Sequence, residues 1–178
     1  VILEVEKITS DTYAGETTYT GEQFILLDIY PKTNGTVSVT YGGLTKTITD
    51  TSGAAEPNAQ QVFFGTFNGV TDSVATSASG ELTIEGDFRT FGAGTFSKFS
   101  NNKSSTTYCG CITSIVEWGG ITVISNNAFR NCASLTRVDI PNGVEEIQMY
   151  AFGGCTALTR VSVNSADCRI PVPYLTFK

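Results

Sequence analysis

Residues 121–143 repeat as residues 144–166. With Phe129 laid over Phe152 the offset is 23, and eight of the 23 aligned pairs are identical. They are Ile124/Ile147, Ala128/Ala151, Phe129/Phe152, Cys132/Cys155, Leu135/Leu158, Thr136/Thr159, Arg137/Arg160 and Val138/Val161. Ile121/Val144 and Ile140/Val163 are conservative. A unit this small cannot bury its own apolar residues, so the copies must stack and share a core. Val138 and Ile140 alternate with Arg137 and Asp139, the period of a short strand. Ala128, Phe129 and Cys132 form a second apolar group on the opposite wall, and Pro141-Asn142-Gly143 turns the chain between units. Counting back another 23 residues gives a degenerate unit. There Cys109 falls under Cys132, Ile112 under Leu135 and Ile115 under Val138, with Thr106 in the place of Phe129 and Trp118 near the end. Repeat arrays usually need three or more units. The residues ahead of the repeats are therefore expected to dock on the stack and close it, or the natural chain to continue past Lys178.

A period of 20–29 residues with this apolar spacing is that of a leucine-rich-repeat solenoid. The first copy reads Ala128-Phe129-Arg130-Asn131-Cys132-Ala133-Ser134-Leu135-Thr136-Arg137-Val138-Asp139-Ile140-Pro141. The second begins at Ala151 and carries Asn164 where the first has proline. The motif resembles the BspA-like leucine-rich repeats of bacterial surface proteins over roughly residues 105–166, its Phe and Cys positions setting it apart from generic leucine-rich repeats. The resemblance implies secretion or surface display, binding to host or microbial partners, and no catalysis. It implies nothing about residues 1–90.

In those first ninety residues short apolar runs alternate with turn signals, and no window shows a helical period. Strands are expected at 2–8, 23–30, 36–41, 44–49, 60–67 and 81–88. Ile25, Leu27 and Ile29 share one face, and Pro31 ends their strand because it donates no ladder hydrogen bond. Thr36–Tyr41 and Leu44–Thr49 flank Gly42-Gly43, whose tolerance of positive φ suits a two-residue primed turn. Strands at this spacing predict a β-sandwich of immunoglobulin-like size, with a strand order that pattern alone does not give. The fold expected is mainly β: a sandwich over residues 1–90, then a short leucine-rich-repeat solenoid over 91–178 with a degenerate first rung. Asp50–Gln60 is read as a polar, solvated loop. Tyr13, Tyr19, Tyr30, Tyr41, Phe63 and Phe67 are either packing residues or a sugar-stacking platform.

Composition narrows the function. There is no histidine, so Ser-His-Asp and Cys-His catalysis and histidine metal sites are excluded. The net charge of −6 provides no basic footprint for nucleic acid. No run approaches the ~20 apolar residues of a membrane span. Val1–Lys7 lacks a signal peptide's apolar stretch, and the chain reads as a mature or trimmed product. The five cysteines are Cys109, Cys111, Cys132, Cys155 and Cys168, an odd number that argues against a disulfide scaffold. Cys109-x-Cys111 lacks the spacing of a zinc knuckle. Cys132 and Cys155 are expected stacked, buried and reduced. Glu85/Asp87 and Glu145/Glu146 are the nearest carboxylate pairs for glycoside hydrolysis and read more simply as solvated charges. Gly92-Ala93-Gly94 lacks the third glycine and following helix of a nucleotide loop. Asn34-Gly35-Thr36 and Asn102-Lys103-Ser104 fit the glycosylation pattern and are read as turns.

The function expected is a non-enzymatic, extracellular or bacterial cell-surface module that adheres to a host or microbial protein. It needs no cofactor and no metal. A carbohydrate-binding module, with a glycan partner on the sandwich, is the alternative. The binding residues expected are Arg137, Asp139, Arg160 and Ser162. By the 23-residue offset Ser114, Arg137 and Arg160 form one outward column, and Val116, Asp139 and Ser162 the next. Like charges opposite one another destabilise a sheet. An Arg137–Arg160 ladder therefore points either to plain solvation beside Asp139 or to a strip receptive to carboxylates.

Overall fold

A computed structural model describes residues 1–5, 24–67, 70–72, 80–92 and 112–164. Outside them lie Tyr13, Tyr19, Ala93, Gly94, the Asn102 sequon, Thr106, Cys109, Cys111, Cys168 and the tail beyond Asn164. The described residues are mainly β, with no helix and no closed sheet among them.

Nine strands build two antiparallel sheets: β1 (Ile2–Val5), β2 (Phe24–Pro31), β3 (Thr36–Tyr41), β4 (Leu44–Thr49), β5 (Gln60–Phe67), β6 (Val70–Thr71), β7 (Gly80–Gly86), β8 (Phe88–Phe91) and β9 (Ile112–Glu117). The larger sheet has the order β4-β3-β7-β1-β9 and the smaller β6-β5-β2-β8. Alternation sets the inward faces. Val37, Val39 and Tyr41 of β3 and Leu82 and Ile84 of β7 are buried, as are Ile25, Leu27 and Ile29 of β2 and Val62 and Phe64 of β5. The two inward sets meet where Tyr41 packs edge-on against Phe64, ring centroids 5.9 Å apart. On the outward face of the β3–β4 hairpin, hydroxyl pairs Thr36/Thr49 and Thr40/Thr45 lie 3.1 and 2.9 Å apart. Gly42 and Gly43 take φ of 57° and 81° in the turn, as the primed geometry requires.

The run expected as one strand at 81–88 is instead two strands in different sheets. Gly86 has φ of 114°, and a Cβ there would lie 2.2 Å from the Thr36 carbonyl oxygen. Only glycine turns this corner, and it sends β8 across to pair with β2. Phe88 consequently packs beside Phe91, centroids 5.1 Å apart, rather than continuing the β7 face.

Strand β9 joins the larger sheet antiparallel to β1, with Leu3 opposite Ile115 and Glu4 opposite Ser114. Beyond it the chain enters the repeat. There β10 (Val123–Ile124) pairs parallel with β12 (Glu146–Ile147), and β11 (Arg137–Ile140) with β13 (Arg160–Val163). Every pair in both ladders is 23 residues apart, Val138 opposite Val161 and Ile124 opposite Ile147. The turn between the ladders is also stitched unit to unit, the Phe129 amide donating to the Ala151 carbonyl at 2.8 Å and the Asn131 amide to that of Gly153 at 2.7 Å. Phe129 and Phe152 stack face to face at 5.4 Å and 6°. Trp118 closes one end of that stack, its ring edge-on to Phe129 at 5.6 Å and its indole N–H donating to the Asp139 carbonyl at 2.7 Å. Strand β8 docks on the same unit through the Ser125 hydroxyl, which donates to the Phe91 carbonyl at 2.8 Å. One hydrophobic core runs from Val1 to Cys155 without interruption.

Candidate interaction surface

The backbone of the repeat fixes which side chains face outward. In the β11–β13 ladder Val138 and Ile140 point into the core, so Arg137 and Asp139 must point out. In-register pairing then sets Arg137 beside Arg160 and Asp139 beside Ser162. All four expected residues therefore share one face, as two adjacent columns. Ser114 pairs with Glu4 on the antiparallel β1, and no ladder among the described residues sets it in register with Arg137.

The charges on this face balance locally. The Arg137 Nε donates to one oxygen of Asp139, and the Ser162 hydroxyl donates to the other. These two bonds, Arg137 first, together with the nearby Arg160 charge, hold the Asp139 carboxyl below the usual carboxylate range. The same contact raises the Arg137 pKa. Asp139 thus pairs directly with Arg137 and acts on Arg160 only through its charge, which offsets part of the repulsion between two stacked arginines on neighbouring strands. Two cations against one carboxylate leave a small positive excess on a chain of net charge −6.

Other expected candidates are scattered. Glu85, Asp87, Glu145 and Glu146 are exposed, and the Glu146 carboxylate accepts from the Gln148 amide at 3.1 Å. Among the described residues no group of three or more His, Cys, Asp or Glu could hold a metal. Tyr41 is buried between the sheets, while Tyr30 and Phe63 are half-buried beneath the Arg89 guanidinium at 5.6 Å and the Lys46 ammonium at 4.2 Å. These three rings build no shared platform. The Asp50–Gln60 loop is largely exposed, as expected of a solvated connection, and is tied down at Asp50 and Pro57. Its buried Asp50 accepts from the Ser52 hydroxyl at 2.6 Å and the Asn34 amide at 2.8 Å, bonds that lower its pKa. The Arg89 guanidinium holds the far end through the Pro57 carbonyl at 2.7 Å.

Two features of the repeat escaped the sequence reading. Left-handed backbone recurs at Asn127 and Tyr150, with φ of 57° and 55°, and at Asn131 and Gly154, with φ of 59° and 73°. Each pair is again 23 residues apart. Asn and Gly are the residues that tolerate this conformation, so Asn127, Asn131 and Gly154 carried the signal, whereas Tyr150 hid it.

The turn, ladder and ring stack are those of one unit copied in register. Residues 102–171 match the family model described as BspA type Leucine rich repeat region (6 copies). The match reaches beyond the two clear repeat units on both sides, taking in β9 and Trp118 before them and residues as far as Pro171 after them. No curated protein and no solved structure matches the chain.

Proposed function

We propose that the chain is a non-enzymatic interaction module of a secreted or bacterial cell-surface protein. In this reading an immunoglobulin-sized β-sandwich closes a short BspA-type solenoid. The partner is a protein, from a host extracellular surface or a neighbouring microbe, and it docks on the β11–β13 face. The observation that carries the reading is the in-register exposure of Arg137, Asp139, Arg160 and Ser162 on a repeat that matches the BspA-type model. Guanidinium forks recognise carboxylates in a bidentate manner, so acidic surface loops are the chemistry to expect. The BspA-type match also supports a surface location, since the family is typical of bacterial surface proteins.

The test is binding of the intact chain to arrayed extracellular proteins and to a glycan array in parallel. A protein ligand whose affinity falls at least tenfold in Arg137→Ser/Arg160→Ser, and falls with added salt, is the expected result. Unchanged affinity with an intact fold removes this face from consideration. Binding to glycans alone replaces the reading with a carbohydrate-binding one.

A further inference from the structure

The sequence holds three Asn-Gly steps, at 34–35, 68–69 and 142–143. Asn68-Gly69 lies outside the described residues. Such a step is open to ring closure. The glycine amide nitrogen attacks the side-chain carbonyl carbon of the asparagine, and glycine has no side chain to obstruct the approach. The attacking nitrogen must give up its proton and move. A hydrogen bond that holds the N–H, on a backbone fixed by its neighbours, therefore suppresses the reaction until the segment opens.

The two described steps differ in this respect. Asn34-Gly35 is locked. The Gly35 amide donates to the Lys32 carbonyl at 2.8 Å, and the Gly35 carbonyl accepts from the Asp50 amide at 2.9 Å. The Asn34 amide donates to the buried Asp50 carboxylate at 2.8 Å. Gly35 is itself buried, so closely that an added Cβ would lie 2.5 Å from the Asp87 carbonyl oxygen. Asn142-Gly143 is held far less. It forms the middle of a turn that the Val144 amide closes on the Pro141 carbonyl at 3.2 Å. Both residues are exposed, and a Cβ on Gly143 would meet nothing within 4 Å. Among the described residues no group accepts from the Gly143 amide.

We infer that Asn142 is a site of spontaneous deamidation in the folded protein, with water as the co-reactant. The Gly143 nitrogen bonds to Asn142 Cγ while its proton passes to solvent base, and the Cγ–Nδ2 bond breaks to release ammonia. Water then opens the cyclic succinimide at either carbonyl. The products are aspartate and isoaspartate at position 142. Each puts a new carboxylate on the turn between the repeat units, in a segment that already exposes Glu145 and Glu146. The isoaspartyl product also lengthens the main chain between Ile140 and Val144, both buried in the core. The inference does not depend on the proposed partner.

The experiment holds the full native chain in mildly alkaline buffer, with a sample in denaturant alongside, and follows the Asn34 and Asn142 peptides by mass spectrometry. In the native chain Asn142 is expected to convert about tenfold faster than Asn34, and in denaturant the two rates should converge. Both isoaspartate and aspartate should form. Gly143→Ala, for which there is space, should slow the conversion severalfold at an unchanged melting temperature. Equal native rates at the two sites overturn the inference. So does conversion to aspartate alone, or a rate that Gly143→Ala leaves unchanged, since either replaces ring closure by direct hydrolysis.

Discussion

Phe129→Ala tests the repeat at its centre. The ring is 1% exposed and packed on both sides, by Phe152 at 5.4 Å and Trp118 at 5.6 Å. Truncation forfeits the transfer free energy of a large side chain, ~2 kcal/mol. It also leaves a void of roughly 100 Å³, which at ~24 cal/mol per Å³ adds ~2.4 kcal/mol if the neighbours do not collapse. The sum, ~4 kcal/mol, sits within the ~3–5 kcal/mol seen for buried Phe→Ala changes. Phe152→Ala should cost less, because the wall around it, with the half-buried Leu158 and the exposed Val161, can relax into an adjoining recess of about 240 Å³. Trp118 is the only tryptophan and touches Phe129, so its fluorescence reads the transition where the perturbation is made. With an unfolding slope of ~2 kcal/mol per molar urea, the Phe129→Ala midpoint should fall by ~2 M. A midpoint within error of wild type, or a larger loss for Phe152→Ala, would refute the stacked register and the reasoning built on it.

Gly86→Ala should destabilise by at least ~3 kcal/mol in the same assay, since its Cβ would meet the Thr36 carbonyl oxygen at 2.2 Å and backbone cannot yield. Gly154→Ala should cost less, ~1–3 kcal/mol, because the obstructing Asn131 amide, 2.0 Å away, can rotate; equal costs would contradict this ranking. Cys132 and Cys155 should resist labelling in the native protein and react in denaturant without reductant; a need for reductant would reveal a disulfide. Burial pushes the Cys132 thiol well up and Cys155 to about 11. Both thiols stay protonated when folded but ionise near ~8.5 when unfolded. Their contribution is therefore complete below that pH and lost as pH rises towards 11, so the melting temperature should fall across this window and fall less steeply in Cys155→Ala. Asp139→Asn should leave the melting temperature little changed while strengthening binding to acidic ligands, because it releases the Arg137 guanidinium and removes the negative charge near Arg160; weaker binding would show that Asp139 itself contacts the partner.

Much of the repeat was legible because its signal is redundant. Eight identities at one offset fix the stacking register, and the register dictates which residues face outward. The β3–β4 hairpin was legible because Gly42-Gly43 and the flanking alternation point to the same turn. Where the reading failed, one pattern served two geometries. Leu82, Ile84 and Phe88 keep an even spacing straight through Gly86, so period-2 alternation conceals the corner between β7 and β8. Ile112 and Ile115 suit packing under a repeat unit and pairing with β1 alike, so the offset alone did not reveal the pairing of β9 with β1. Alternation tells which face of a strand is apolar and says nothing of its neighbour. The strand order of the two sheets depends on contacts far apart in the chain, and no local pattern encodes it.

The position of β1 has a kinetic consequence. It is an interior strand of the larger sheet, flanked by β7 and β9, so its two sets of ladder bonds close loops of very different length. The pairing of Glu4 with Ser114 cannot form until more than a hundred residues are available. Such distant pairings slow folding, because loop closure must come before the contacts that reward it. In a chain emerging amino end first, β1 could pair with β7 once Gly86 was out, but its β9 edge would stay open until the residues leading into the repeat arrived. The larger sheet is thus completed late, and any chaperone that accompanies the chain should cover the β9 edge of β1 until Trp118 has reached the stack.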